Sequence, residues 1–102
     1  MLVVLADARF DAGQIDKVRA LARPMIEASR AEPGCAGYDY AIDLLDPGLM
    51  RVREWWKDEQ ALRDHFVTPH MAAFLTGLRD LGPKSVTVKC YELGPERKMP
   101  GG

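Results

Sequence analysis

The segment Cys35–Trp56, C-A-G-Y-D-Y-A-I-D-L-L-D-P-G-L-M-R-V-R-E-W-W, is the most constraining stretch of the 102-residue chain. Two alternating runs flank Asp46-Pro47-Gly48, a cluster in which proline fixes φ and glycine accepts conformations closed to other residues. The pattern reads as a β-hairpin. With Leu45 opposite Leu49, counting outward sets Leu44 against Met50, Ile42 against Val52, Tyr40 against Glu54 and Tyr38 against Trp56. Period-two alternation places all eight on one face, which is apolar and aromatic with a single carboxylate set into it. The other face receives Asp43 opposite Arg51, Ala41 opposite Arg53 and Asp39 opposite Trp55. A slip of one residue would invert both sets, so the faces are well specified.

The flanking sequence supplies the rest of a domain. Residues 2–10 alternate, with Leu2, Val4, Ala6, Ala8 and Phe10 on one side and Val3, Leu5, Asp7 and Arg9 on the other. Over 13–31 the apolar period changes to three and four (Ile15, Val18, Leu21, Ala22, Met25, Ile26), which predicts an amphipathic helix kinked at Pro24 and stopped by Glu32-Pro33-Gly34. Asp58 caps a short helix reaching Phe66, with Ala61, Leu62 and Phe66 inward. Thr68-Pro69 starts another, about 69–80, carrying Met71, Phe74, Leu75 and Leu78. Ser85–Glu92 alternates again as a last strand, and a loose tail follows from residue 94. The order β-α-β-β-α-β is that of an α+β, ferredoxin-like domain over 1–93, with sheet order 4-1-3-2 and both helices on one face of a mainly antiparallel sheet. The charged face, which also holds Trp55 and Tyr91, is too apolar to be simply wet and suits a sheet-to-sheet homodimer.

Bulk properties exclude several function classes. A net charge of −1 gives no electrostatic case for nucleic acid or an anionic membrane as partner. The apolar start Leu2–Leu5 lacks a basic segment and is too short to span a membrane, so a cytoplasmic location is expected. Cys35 and Cys90 have no paired spacing and read as two small buried residues. No phosphate-binding loop, dinucleotide fingerprint or nucleophile elbow is present, so nothing anchors a flavin or nicotinamide and no cofactor is expected.

A spaced series now stands out: Glu32-Pro33-Gly34-Cys35, Tyr38, Asp46-Pro47, Glu54-Trp55-Trp56-Lys57-Asp58, Ala61-Leu62, His65, Thr68-Pro69-His70 and Phe74. It resembles the antibiotic biosynthesis monooxygenase domain family, small proteins of the dimeric α+β barrel type that include quinol monooxygenases. The resemblance covers about residues 2–93. It implies the ferredoxin-like fold, the dimer, and a pocket between sheet and helices in which several members oxidise phenols or quinols without metal or organic cofactor. Relatives also include haem-degrading enzymes, an isomerase-like enzyme and proteins without a known substrate, so membership alone leaves the reaction open. One departure is plain: the chain has no asparagine, and Val52 stands on the Trp56 face where haem-degrading and one quinone-forming type use Asn. Those mechanisms cannot operate here in their familiar form.

Glu54 is the most informative single residue. A carboxylate on the helix-facing side is costly unless paired, and its pKa should rise. It serves either as a general base toward a phenolic or enolic substrate or as a structural carboxylate bonded to His65, His70 or Tyr40. His65 and His70 are candidate partners at the pocket mouth, with His65 nearer the sheet; each alone is equally a capping or surface histidine. As metal ligands, two histidines and a glutamate without standard spacing are a weak signal, and no metal is expected. Tyr38, Tyr40, Trp56 and Phe74 would line a pocket for a flat ring, or simply pack the core. The expected activity is a cofactor-independent monooxygenase acting on a small aromatic substrate, with an isomerase or tautomerase, or a non-catalytic binding protein, as the alternatives.

Overall fold

A computed structural model describes residues 1–101. The elements are β1 (Leu2–Arg9), a 3-10 turn (Ala12–Gln14), α1 (Ile15–Arg30), β2 (Cys35–Asp43), β3 (Asp46–Trp56), α2 (Glu59–Phe66), α3 (Pro69–Leu81) and β4 (Ser85–Glu92). The strands form one sheet ordered β2-β3-β1-β4, every neighbouring pair antiparallel. This is the ferredoxin-like α+β arrangement that the element order implies.

Each helix follows from local chemistry. α1 turns Val18, Ala22, Met25 and Ser29 inward at helical spacing and runs on through Pro24, which sits on its exposed side. The Asp58 carboxylate accepts the Ala61 N–H at 2.8 Å to open α2. Thr68 caps α3 with Pro69 at its first position, and Gly82, at φ 64°, closes it in the left-handed conformation that glycine tolerates. Two core clusters result. One gathers Val4, Met25, Tyr38, Trp56, Met71 and Phe74; the other gathers Ala8, Phe10, Val18, Met50 and Val52. Tyr40 and Leu78 pack against both.

The hairpin keeps its faces but not its register. Tyr38 pairs with Glu54, Tyr40 with Val52 and Ile42 with Met50, two residues displaced from the expected partners. The chain reverses at Leu44-Leu45, because Asp43 accepts the Leu45 N–H at 3.0 Å and so closes a turn ahead of the proline. Asp46-Pro47-Gly48 is absorbed instead into an irregular start of β3, with a register shift between Ile42 and Asp43. A two-residue slip leaves every side chain on its own face. Leu44 is the exception: expected inward, it sits at the turn and is 100% exposed. The slip also sets Asp39 opposite Arg53, and the two form an ion pair at 2.8 Å.

Other expectations change for equally local reasons. Phe66 was expected inward but is 54% exposed, because α2 presents Ala61 and, one turn later, His65 to the core. Cys90 is exposed and Cys35 half-buried, since the former lies on an edge strand that no helix covers.

Gly48 is fixed by a crossing of backbones. The Phe10 N–H donates to the Gly48 carbonyl at 2.8 Å, and a Cβ on Gly48 would collide with the Phe10 carbonyl oxygen. Because a carbonyl cannot swing aside as a side chain can, Gly48→Ala should destabilise the domain by about 2 kcal/mol. Urea denaturation measures this; an unchanged midpoint would show that the two chains can separate freely.

Candidate functional site

Glu54 and Trp56 are two residues apart on β3 and therefore share the helix-facing side. The Trp56 indole N–H donates to Glu54 Oε1 at 3.0 Å. Trp56 is fully buried and Glu54 nearly so. Burial is the larger influence on Glu54 and raises its pKa to about 7, with the indole hydrogen bond acting in the opposite direction. The expected partners of Glu54 were a histidine or Tyr40; Trp56 takes that place.

β2 brings Tyr38 opposite Glu54 and Tyr40 two pairs further along, opposite Val52. Their hydroxyls lie 3.2 Å apart, and the Tyr38 hydroxyl lies 3.4 Å from His65 Nε2. Burial holds both phenols well above the usual tyrosine range, so both stay neutral. Trp56 packs on the His65 ring with centroids 4.5 Å apart, and Phe74 meets Tyr40 edge-on at 5.9 Å.

His65 has no exposed surface. Its Nδ1 lies 2.7 Å from Glu32 Oε2, and its Nε2 lies 4.0 Å from Glu54 Oε1. Burial lowers its pKa, with the Glu32 carboxylate working against the shift. His70, at the start of α3, places Nε2 2.9 Å from the same Glu32 oxygen. Thr68 joins the two helices by donating its hydroxyl to the His65 carbonyl at 2.7 Å. Glu32 is held in place by Gly34: the Lys57 N–H donates to the Gly34 carbonyl at 3.0 Å, and Gly34 packs so tightly on Ala61 that no Cβ would fit.

Glu32 is the residue that sequence reasoning missed. Glu32-Pro33-Gly34 read as a helix stop, and the only signal for more was its place in the family series. Ligand atoms of Glu32, His65 and His70 lie within 4.8 Å of one another, so these are the residues that could hold a metal ion. Hydrogen bonds to Glu32 already satisfy one N–H of each imidazole.

Open volume adjoins this cluster in two places: a small cleft of ≈ 190 Å³ is lined by Glu32, Gly34 and Lys57, and a larger one lies beside β2. The larger cleft, of ≈ 510 Å³, runs between α1 and the β2 edge of the sheet, with Val18, Ala22, Ile26, Ile42 and Met50 among its walls. Of the seven residues expected to form the pocket or its mouth, Tyr40 alone lines it. Tyr38, Trp56, Phe74, Glu54 and His65 are packed beneath the surface, and His70 is held to Glu32. The site is thus a cleft with apolar walls, also lined by Arg19, Arg23, Glu27 and Arg30, and joined to a buried acid–imidazole cluster through one tyrosine.

A raised carboxylate pKa is a stability statement. From the ordinary 4.5 to about 7, folded Glu54 holds a proton that the unfolded chain releases. Stability therefore falls as pH rises through that window, and the penalty is complete above it. Glu54→Gln keeps an acceptor for Trp56 without the charge. It should gain roughly 3 kcal/mol on wild type between about pH 4 and about pH 8. Denaturation curves at the two pH values check this, and parallel behaviour of the two proteins would contradict it.

Comparison with known proteins agrees with this fold. Residues 1–77 match the family described as antibiotic biosynthesis monooxygenase. An uncharacterised protein of Synechocystis is 30% identical over 98 residues, spanning 96% of this chain and 67% of its own. YcnE of Bacillus subtilis, a monooxygenase by assignment, is 28% identical over 79% of this chain and 85% of its own. Among solved structures, a Deinococcus radiodurans protein assigned to the same family superposes with a TM-score of 0.90 at 25% identity, covering 99% of this chain and 100% of its own. The chain belongs to the antibiotic biosynthesis monooxygenase family.

Proposed function

We propose that this protein is a cofactor-independent monooxygenase that takes a phenolic or quinol-type small molecule into the α1–β2 cleft. The observation that carries the proposal is the Glu54–His65 pair: a carboxylate with a pKa of about 7 lying 4.0 Å from a buried imidazole, in an apolar, aromatic setting. A base is most effective when its pKa lies near the working pH, and few carboxylates meet that condition. Removing the proton from a hydroquinone gives an electron-rich anion. That anion passes one electron to O₂, the radical pair combines to a ring hydroperoxide, and O–O cleavage with loss of water leaves one oxygen on the ring as a quinone carbonyl. The protein contributes the base, an oriented ring and a cavity that limits water.

Oxygen uptake with a panel of hydroquinones tests this directly. Wild type should consume O₂, and Glu54→Gln should reduce the rate by at least about 100-fold while remaining folded. Full activity in a folded Glu54→Gln protein would remove the base from the scheme. The same pair could move a proton between carbon and oxygen without O₂, as in an isomerase. Deuterium incorporation at an enolisable carbon, with no oxygen consumed, would establish that instead.

Assembly as a homodimer belongs to the same proposal. All eight residues of β4 are exposed, and Leu5 and Tyr91 present apolar surface on the face of the sheet away from the helices. Beside them runs a self-complementary charge pattern, Arg51 with Asp7 and Asp43 and Arg53 with Asp39. Light scattering at micromolar protein should return twice the chain mass; a monomer mass would contradict the assembly.

A further inference from the structure

Three arginines of α1, Arg19, Arg23 and Arg30, line the larger cleft, and Glu27 is the carboxylate among its walls. They differ in how firmly an acid holds each one. Arg19 donates to Asp16 at 2.7 Å and Arg23 to Glu27 at 3.0 Å, each pair lying within about one turn of the helix. Arg30, the last residue of α1, is placed otherwise. Its Nε donates to the Tyr38 carbonyl at 2.8 Å, so main chain of β2 fixes the guanidinium. Asp39 lies 3.4 Å from one terminal nitrogen of Arg30 but accepts from Arg53 at 2.8 and 3.3 Å. Two guanidiniums therefore share one carboxylate, and the weaker share falls to Arg30. One N–H of Arg30 is held by Tyr38 and one leans on Asp39. The others remain on a planar, pre-set fork of the kind that matches the two oxygens of a carboxylate.

From this end the cleft extends along α1 as far as Ile15, about 22 Å at the rise of a helix. Its floor is apolar over that length. Ala22 and Ile26 adjoin the core cluster around Trp56, and Val18 and Ile42 adjoin the one around Met50. An apolar trough that ends at an under-compensated cation is complementary to an amphipathic anion.

We propose that the α1–β2 cleft binds an organic carboxylate with a flat apolar body, and that Arg30 determines this specificity by taking the carboxylate. A neutral molecule of the same shape gains the apolar burial but not the ion pair. Because Tyr38 already fixes the guanidinium, little side-chain ordering opposes the contact. Arg30 is half-exposed, so the preference is moderate and weakens with salt. The substrate class narrows accordingly, to a phenolic or quinol-type ring that carries a carboxylate side chain. This rests on the cleft as the place of substrate binding proposed above and not on the oxygen step. Arg30 also complements the C-terminal end of α1 and ties that helix to β2. Those structural roles do not distinguish a charged ligand from a neutral one.

1-Naphthylacetate and 1-naphthylacetamide share ring and shape and differ in charge. Each is titrated into the protein while the Ile26 and Ile42 methyl signals are followed by NMR. Wild type should bind the carboxylate roughly five- to tenfold more tightly than the amide at low salt, and the ratio should shrink at high salt. In Arg30→Gln, which keeps a donor for the Tyr38 carbonyl, the ratio should fall to about one with amide binding unchanged within about twofold. Arg30→Lys, with the charge but not the fork, should keep part of the preference. Equal affinities in wild type, an undiminished ratio in folded Arg30→Gln, or methyl signals that neither compound moves would each overturn the assignment. If Arg30→Gln fails to fold, the lysine variant and the salt dependence decide. Neither probe has a hydroxyl group to oxidise, so oxygen uptake by the wild type stands or falls separately.

Discussion

One carboxylate oxygen, Glu32 Oε2, holds two imidazoles that come from different helices. Its position is what makes the interior chemically directional. By fixing the hydrogen on His65 Nδ1, it leaves Nε2 as the acceptor that faces the sheet, and the phenols of β2 orient in response. Without that contact, a histidine with no exposed surface would keep only its longer hydrogen bond to Tyr38 and leave Nδ1 unsatisfied. The hold depends in turn on packing rather than polarity: Gly34 fits against Ala61 only because neither residue has a longer side chain there.

The second constraint is the burial of Glu54. Its indole partner supplies one hydrogen bond, which is less than an ionised carboxylate needs away from water. A fold selected for stability alone would place an apolar residue between Val52 and Trp56. Retaining an acid there makes the sheet weaker at neutral pH and its interior responsive to protons. That trade is common where a group is poised for chemistry.

Much of this was legible in the residues. The two faces of the hairpin survived a two-residue error in register because alternation depends only on parity, and Tyr38, Glu54 and Trp56 stayed inward. The error came from weighting Pro47-Gly48 above the local capping by Asp43, which closes the turn earlier. On α2 the inward residue of the last turn is His65, not Phe66; hydrophobicity pointed to the ring without charge, and the deciding factor was a hydrogen-bonding partner 33 positions away. Glu32 was hidden for the same reason. Its role exists only after α2 has folded onto the loop, and no spacing within the segment announces it.

Tyr40 belongs to both halves of the interior, packing against the cluster around Trp56 and the one around Met50. Its ring is thus a shared wall, and its other side is open to the cleft. Whatever fills that opening leans on both halves at once. Occupancy is mechanically a keystone, tightening the layer between sheet and helices as a whole rather than stiffening a single rim.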